Sequence, residues 1–345
     1  MGWLGDGKGP GAVVSCRVVL ALAFVLVLGP MALPANSQPR GSMPRVALLC
    51  AVWCEALQSF RHEEGQAFVR ALSEFGHIDG QTVIVDERGA GIKSGLTNVT
   101  AELVRRKVDI IVADGLPAAQ AAMKATKTIP IVMVGVADPV RLGLVPSLAR
   151  PGGNVTGVAV PFEDLVKKQM ELLQEAVPRT RSVGVLWTPD NPQHAPSLAA
   201  VEGAGQAVGV TVRLLQRRSR TQAELEGIVS TLDREGSRAL LVLHDPHPQA
   251  YEGVNLLALR YRVATISTKR DFARGGGLLA YGPDRLETVR RAAYFVDRIL
   301  RGTKTGDLPV EEPTRYELIV NLATARALGL TLPQSILGRA DEVVR

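Results

Sequence analysis

The chain has 345 residues, 46% of them hydrophobic and 21% charged, with a formal net charge of +6. That length and balance exclude a disordered polypeptide and leave room for two medium domains with substantial cores. The basic excess sits in short runs such as Arg105-Arg106-Lys107, Arg217-Arg218 and Arg290-Arg291. No aromatics are interleaved with them, so they read as solvated helix faces and no nucleic-acid partner is expected.

Lys8 and Arg17 precede an apolar run over residues 18–28, and Gly29-Pro30 and small residues follow up to Ser37. This basic, apolar, small order predicts a secretory signal peptide over residues 1–37, cleaved near Ser37. The apolar run falls short of the roughly 20 residues that a membrane span needs; an uncleaved anchor is the alternative. Val13-Val-Ser-Cys16 looks like a lipid-attachment site, but it precedes the apolar run, which excludes it. Export permits a disulfide between Cys50 and Cys54; the alternative is two small buried thiols. Two cysteines without a second pair make no zinc site.

A continuous apolar run predicts a first strand over 45–50, covered on both faces. Phe60, Phe68, Leu72 and Phe75 at helical spacing predict a helix over 58–75, stopped by Gly76. Strands at 82–86, 108–113 and 129–135 alternate with helices at 95–107 and from Pro117. An Asp138-Pro139 turn is expected to lead into a further helix, then a Pro151-Gly-Gly-Asn154 corner and a strand over 154–160.

The alternation then restarts, with helices at 162–176, 196–208, 222–234 and 249–262. Strands at 182–187, 211–215, 239–244 and 265–267 lie between and after them. A strand over 275–282, a long amphipathic helix over 285–300, a loop over 302–309 and a strand over 316–321 follow. Repeated strand–helix units imply right-handed crossovers and parallel sheets. The class is therefore α/β, and three candidate crossings suggest two lobes that hinge on each other.

The stretch from Thr128 through Asp138-Pro139-Val140 to Pro151-Gly-Gly-Asn-Val-Thr-Gly157 resembles a signature of the ABC-transporter solute-binding family whose best-known members carry aromatic amino acids. Val112-Ala-Asp-Gly-Leu-Pro-Ala118, Gly277-Leu-Leu-Ala-Tyr-Gly282, Asp297-Arg-Ile-Leu-Arg-Gly302, Asp307-Leu-Pro-Val-Glu-Glu-Pro-Thr314 and Gly338-Arg-Ala-Asp-Glu-Val343 extend the resemblance over about residues 45–345. It implies a type I periplasmic binding protein: two doubly wound parallel-sheet lobes joined by a multi-strand hinge. The first lobe would take 44–157 plus 278–303, the second 158–277 plus 304–345. Such a protein traps a small solute and delivers it to the membrane subunits of an ABC permease. The exported N-terminus agrees independently with a periplasmic location. A monomer without cofactor is implied.

Ligands in open α/β folds bind beyond the carboxyl ends of strands. There, Trp53 would stack on a planar solute or merely pack at the lobe edge. Pro117 suits a helix first turn, which would aim the amides of Ala118 and Ala119 at a solute carboxylate. Asp114 would contact the solute or cap that helix. The resemblance implies a hydroxyl residue just before the proline; this chain has Leu116, which removes one side-chain hydrogen bond to an amino-acid ligand and leaves the solute as an amino acid or a similar small polar or aromatic compound. Asp138 would accept a hydrogen bond from the solute or close an Asx-turn.

In the second lobe, Asn191 and Asp245 match positions where the family places polar ligand contacts. His244 and His247 flank Asp245, but without a third convergent ligand no metal is expected. Tyr281 and Asp284, at a recrossing, would bind the solute or set the hinge. An exported enzyme is disfavoured, because the chain has no Gly-x-Ser-x-Gly elbow, no phosphate-cradling loop and no His-Glu-x-x-His helix. A ligand-sensing domain remains the alternative and would work with a separate signalling partner.

Overall fold

The computed structural model describes residues 43–51, 63–90, 95–178, 180–219, 221–245 and 253–345. Residues 1–37, expected to be a signal peptide, together with Trp53, Cys54, His247 and the starts of the helices expected at 58 and 249, lie outside these residues. Cys50 is disulfide-bonded, and both other cysteines of the sequence lie outside the described residues.

In the first lobe, β1 (Arg45–Ala51), β2 (Ile84–Ala90), β3 (Ile110–Asp114), β4 (Ile131–Ala137) and β5 (Val155–Val160) form an all-parallel sheet in the order β2-β1-β3-β4-β5. Its helices are α1 (Glu63–Glu74), α2 (Gly95–Arg105) and α3 (Gly115–Ala125). Strand alternation sorts the apolar residues onto both faces. Val46, Leu48, Ile110 and Val132 pack under α1, while Ala47, Leu49, Ile111 and Met133 pack under α2 and α3. Two covered faces explain why these strands are continuously apolar.

The second lobe contains α4 (Phe162–Ala176), β6 (Ser182–Trp187), α5 (His194–Ala207), β7 (Thr211–Gln216), α6 (Gln222–Arg234), β8 (Ala239–Val242), α7 (Val254–Arg260), β9 (Ala264–Ser267), α8 (Arg270–Arg274) and β10 (Leu279–Pro283). The chain continues through α9 (Arg285–Leu300), β11 (Tyr316–Asn321), α10 (Leu322–Leu328), α11 (Gln334–Leu337) and β12 (Glu342–Val344). The second sheet runs β12-β11-β10-β9-β8-β6-β7, with β10 and β11 antiparallel. The sequence pattern did not reveal α8, α10, α11 or β12, all of them short.

Between the sheets the chain crosses three times. It leaves β5 through Pro161 into α4. After β10, α9 returns to the first lobe, where Val289, Ala292, Phe295 and Val296 join the core under α1. The chain next adds Glu311 beside Val158 at the β5 edge and finally enters β11. Asp284 N–H donates to the Arg315 carbonyl at 3.0 Å, tying two crossings together.

Two expectations need correction. Residues 278–283 do not open the return to the first lobe, because β10 is held in the second sheet by ladders to β9 and β11. The helix expected after Asp138-Pro139 is instead a series of turns. Pro139 and Pro146 interrupt the segment, and Gly143 takes a left-handed φ of +71° that a helix interior does not accommodate.

The glycine corner has a tertiary reason. Gly152 N–H donates to the Gly306 carbonyl at 3.1 Å, and a Cβ on Gly306 would lie 2.8 Å from the Gly152 carbonyl carbon. The corner therefore closes on the 3-10 turn Thr305–Asp307 with backbone against backbone.

Candidate functional site

Asp114 ends β3, at the carboxyl edge of the first sheet. Gly115 follows with φ +78° and starts α3. The Asp114 side chain does not cap α3. Its two oxygens instead accept from Arg285 Nη2 at 3.1 and 3.2 Å, and Glu64 in the first turn of α1 accepts from the same nitrogen at 2.8 Å. Arg285 is placed by Asp284, which accepts from the N–H groups of Leu286 and Glu287 and so fixes the start of α9. Gly135, at a bulge in β4 with φ +70°, makes room: a Cβ there would come within 3.2 Å of Arg285 Nη1.

The side chains of Arg285, Asp114 and Glu64 are 22%, 29% and 35% exposed, so they line a recess that water reaches. Burial works against the Arg285 charge, yet the carboxylates of Asp114 and Glu64 more than reverse this and raise its pKa. Burial likewise resists ionisation of Glu64. Arg285, by charge and hydrogen bond, with Lys269 and Arg270 behind it, overrides this and holds the carboxyl at about 2.

The second lobe contributes further charge to this region. Lys269 follows β9, and its pKa is lowered by burial and then by Arg285, against the pull of Glu64, Asp114 and Asp271. His244 follows β8 and is held neutral, well below the usual histidine range, by burial and by the nearby cations Lys269 and Arg285, with His194 adding to the effect. Arg285, Asp114 and Glu64 are thus in direct contact at the carboxyl edge of the first sheet, and Lys269 and His244, at the carboxyl ends of β9 and β8, lie close enough for the Arg285 charge to act on them.

Behind them the second-lobe loops are bonded to one another. Thr188 N–H donates to His194 Nδ1 at 3.0 Å, which leaves the ring proton on Nε2, 2.9 Å from the His244 carbonyl. Burial lowers the His194 pKa, consistent with this neutral tautomer. Asn191 Nδ2 donates to the His244 carbonyl at 3.2 Å, and its Oδ1 accepts from Gln193 N–H at 3.0 Å. Thr188 Oγ1 donates to Asp245 at 2.7 Å. Asn191 and Asp245 are both buried, and these bonds stiffen the loops that carry His244.

Asp138 adopts φ +42°, a left-handed conformation that costs a non-glycine residue roughly 1–2 kcal/mol. Its carboxylate accepts from Arg141 Nη2 at 2.8 Å. Tyr281 stacks on Tyr316 with ring centroids 5.7 Å apart, packed against the second-lobe core on the α4 side; burial raises its pKa. Asp284 serves the hinge as the α9 cap.

Because α3 begins at Gly115, two residues before Pro117, the amides of Ala118 and Ala119 fall inside the helical hydrogen-bond ladder. The amides of the first turn are those of Gly115 and Leu116. The Leu116 side chain is fully buried in the first-lobe core. Glu64, Lys269 and Arg285 escaped the sequence reading. Only Arg285 left a local signal, a cation just after an Asp cap at a strand end. Among the described residues, no group of three or more His, Cys, Asp or Glu side chains is placed to hold a metal.

The family model for the ABC transporter substrate binding protein matches residues 51–344. The chain is 28% identical over 267 residues to a tyrosine-binding protein of Clostridioides difficile (strain R20291), covering 77% of this chain and 76% of that protein. Among solved structures it is similar to a conserved domain protein from Vibrio cholerae, with 27% identity and a TM-score of 0.78 over 88% of this chain and 100% of the other. A Streptococcus pneumonia ABC domain in complex with L-Trp shares the fold, at 24% identity and a TM-score of 0.75, covering 88% of this chain and 100% of that one.

Proposed function

The chain belongs to the ABC transporter substrate-binding protein family, and from that premise we propose that it traps one small zwitterionic solute, an aromatic amino acid, between its lobes. The observation that carries this reading is the charge arrangement at the sheet edges. Glu64 and Asp114 offset Lys269 and Arg285, so the cluster as a whole is neutral and suits a ligand that carries one charge of each sign. A solute carboxylate would face Lys269 and Arg285, and its ammonium would face Glu64 and Asp114. The tyrosine-binding relative supports an aromatic side chain.

Asp114 belongs to this site directly. Trp53 is the candidate for ring stacking, since it follows β1. Asn191 and Asp245 support the second-lobe wall, and Asp138 stands at the end of β4. Lobe closure would exchange water for these contacts, with no chemistry performed on the solute. The mature protein would be periplasmic and monomeric, handing its solute to an ABC permease. No helix among the described residues is long and apolar enough to cross a membrane.

The test is a thermal-shift comparison of L-tyrosine, L-tryptophan and L-phenylalanine with tyramine and 4-hydroxyphenylacetate, which each lack one of the two charges. A true ligand at 100 times its dissociation constant adds about 2.7 kcal/mol. The amino acids are expected to stabilise the protein and the single-charge analogues to fail. Equal responses would remove the zwitterion reading, and consumption of a bound amino acid would remove the binding-only one.

A further inference from the structure

Arg141 lies in the turns that follow β4, where the sequence led to the expectation of a helix. Its Nη2 donates to Asp138 at 2.8 Å, while its Nη1 donates to the carbonyl of Pro196. Pro196 is in the first turn of α5, 55 residues further along the chain and in the other lobe. We propose that Arg141 is a closure latch: its guanidinium, aimed by Asp138, holds the first lobe to the Pro196 carbonyl of the second and sets how far the cleft stands open.

Three observations support this role. A groove of about 620 Å³ runs beside the contact, walled by Val140, Leu148 and Val160 on one side and by Ala199 and Ala200 on the other. The lobe surfaces here are thus separated by open space, and the long Arg141 side chain spans it. Next, the first turn of a helix is the positive end of its dipole, which disfavours an approaching cation. The Asp138 carboxylate offsets that charge while leaving Nη1 able to donate. Finally, Asp138 holds the left-handed φ of +42° directly before Pro139, a conformation that persists only where its surroundings impose it.

Arg141 touches none of Glu64, Asp114 or Arg285, so it acts on the solute through lobe geometry and is a positioning residue. Its effect on solute affinity rests on the binding reading above; its effect on lobe opening does not. With a side chain 42% exposed, Arg141 can be replaced without opening the core.

The experiment compares the full chain with Arg141→Ala, Asp138→Asn and Pro196→Ala. It uses small-angle scattering of the ligand-free proteins together with stopped-flow binding of L-tyrosine. Arg141→Ala is expected to enlarge the radius of gyration and to speed L-tyrosine dissociation about fivefold, the lower end of couplings between conformational states, with association little changed. Asp138→Asn is expected to shift both readouts in the same direction by less. Pro196→Ala keeps its carbonyl and is expected to match the parent. An unchanged radius in Arg141→Ala overturns the latch, whether or not L-tyrosine binds. Failure of every variant and the parent to bind L-tyrosine overturns the amino-acid reading and leaves the scattering result to decide the latch.

Discussion

Arg285 Nη2 donates to both oxygens of Asp114, at 3.1 and 3.2 Å, although 171 residues separate the two in the chain. The same nitrogen reaches Glu64 at 2.8 Å across 221 residues. This pairing joins the start of the hinge helix α9 to the strand ends of the first lobe. A solute binding there would meet groups that are already oriented.

Replacing Arg285 with Ala leaves two neighbouring carboxylates without their shared cation. Breaking a fully buried pair costs several kcal/mol, but these side chains are partly wet, so the expected loss is about 2 kcal/mol. Urea denaturation should show it as a lower midpoint with an unchanged slope. Arg285→Lys is expected to recover part of the loss, because the single nitrogen Nη2 makes all three contacts, while the ammonium stands on a stem of different length. Full recovery by lysine would mean that charge alone matters at this position.

Acid should weaken the protein in two steps. His244 and His194 both have folded pKa values below the ordinary 6.5. The unfolded chain therefore binds protons that the folded one refuses, and stability complete above 6.5 declines as pH falls below it. Glu64 titrates at about 2 when folded against 4.5 otherwise. Its contribution is present above 4.5 and is lost as pH falls towards 2. His244→Gln should flatten the first step and Glu64→Gln the second, in urea titrations at a series of pH values. A His244→Gln profile that superimposes on the parent would refute the neutral, half-buried imidazole.

Two glycines should respond to alanine in opposite ways. Gly157 in β5 has φ +132°, and a Cβ there would sit 2.1 Å from the Met133 carbonyl oxygen. Its substitution should cost more than about 4 kcal/mol or prevent folding, because backbone cannot yield as a side chain would. Gly227 lies on the exposed face of α6 with nothing within 4 Å of the added atom. Alanine there should add up to about 1 kcal/mol through helix propensity. Melting temperatures of the two variants check both, and a stable Gly157→Ala protein would contradict the close β4–β5 approach.

Much of the fold was legible from local pattern. The helices at 162–176, 222–234 and 285–300 and the strands at 182–187 and 316–321 were readable because apolar period and capping residues are local properties. The segment after Asp138 forms turns where a helix was expected, because Pro139 and Pro146 interrupt it and Gly143 takes a left-handed φ of +71°. The candidate site was legible only in part. Asp114 stood out at a strand end, whereas Glu64 and Lys269 look like ordinary surface charges until the lobes are built.

By itself the sequence determined the α/β class, the two successive strand–helix series, and the family to which they belong. Its glycines at 151–154 were legible as a corner, but the close approach of that corner to Gly306 was not. Only the tertiary structure decided that β10 stays in the second sheet while α9 returns to the first. It alone decided that Arg285 neutralises two carboxylates and that Arg141 reaches Pro196. The reason is one of range: periodicity and capping act within a few residues. The ion pairs form between residues 171 and 221 positions apart, and their placement follows from how the lobes pack.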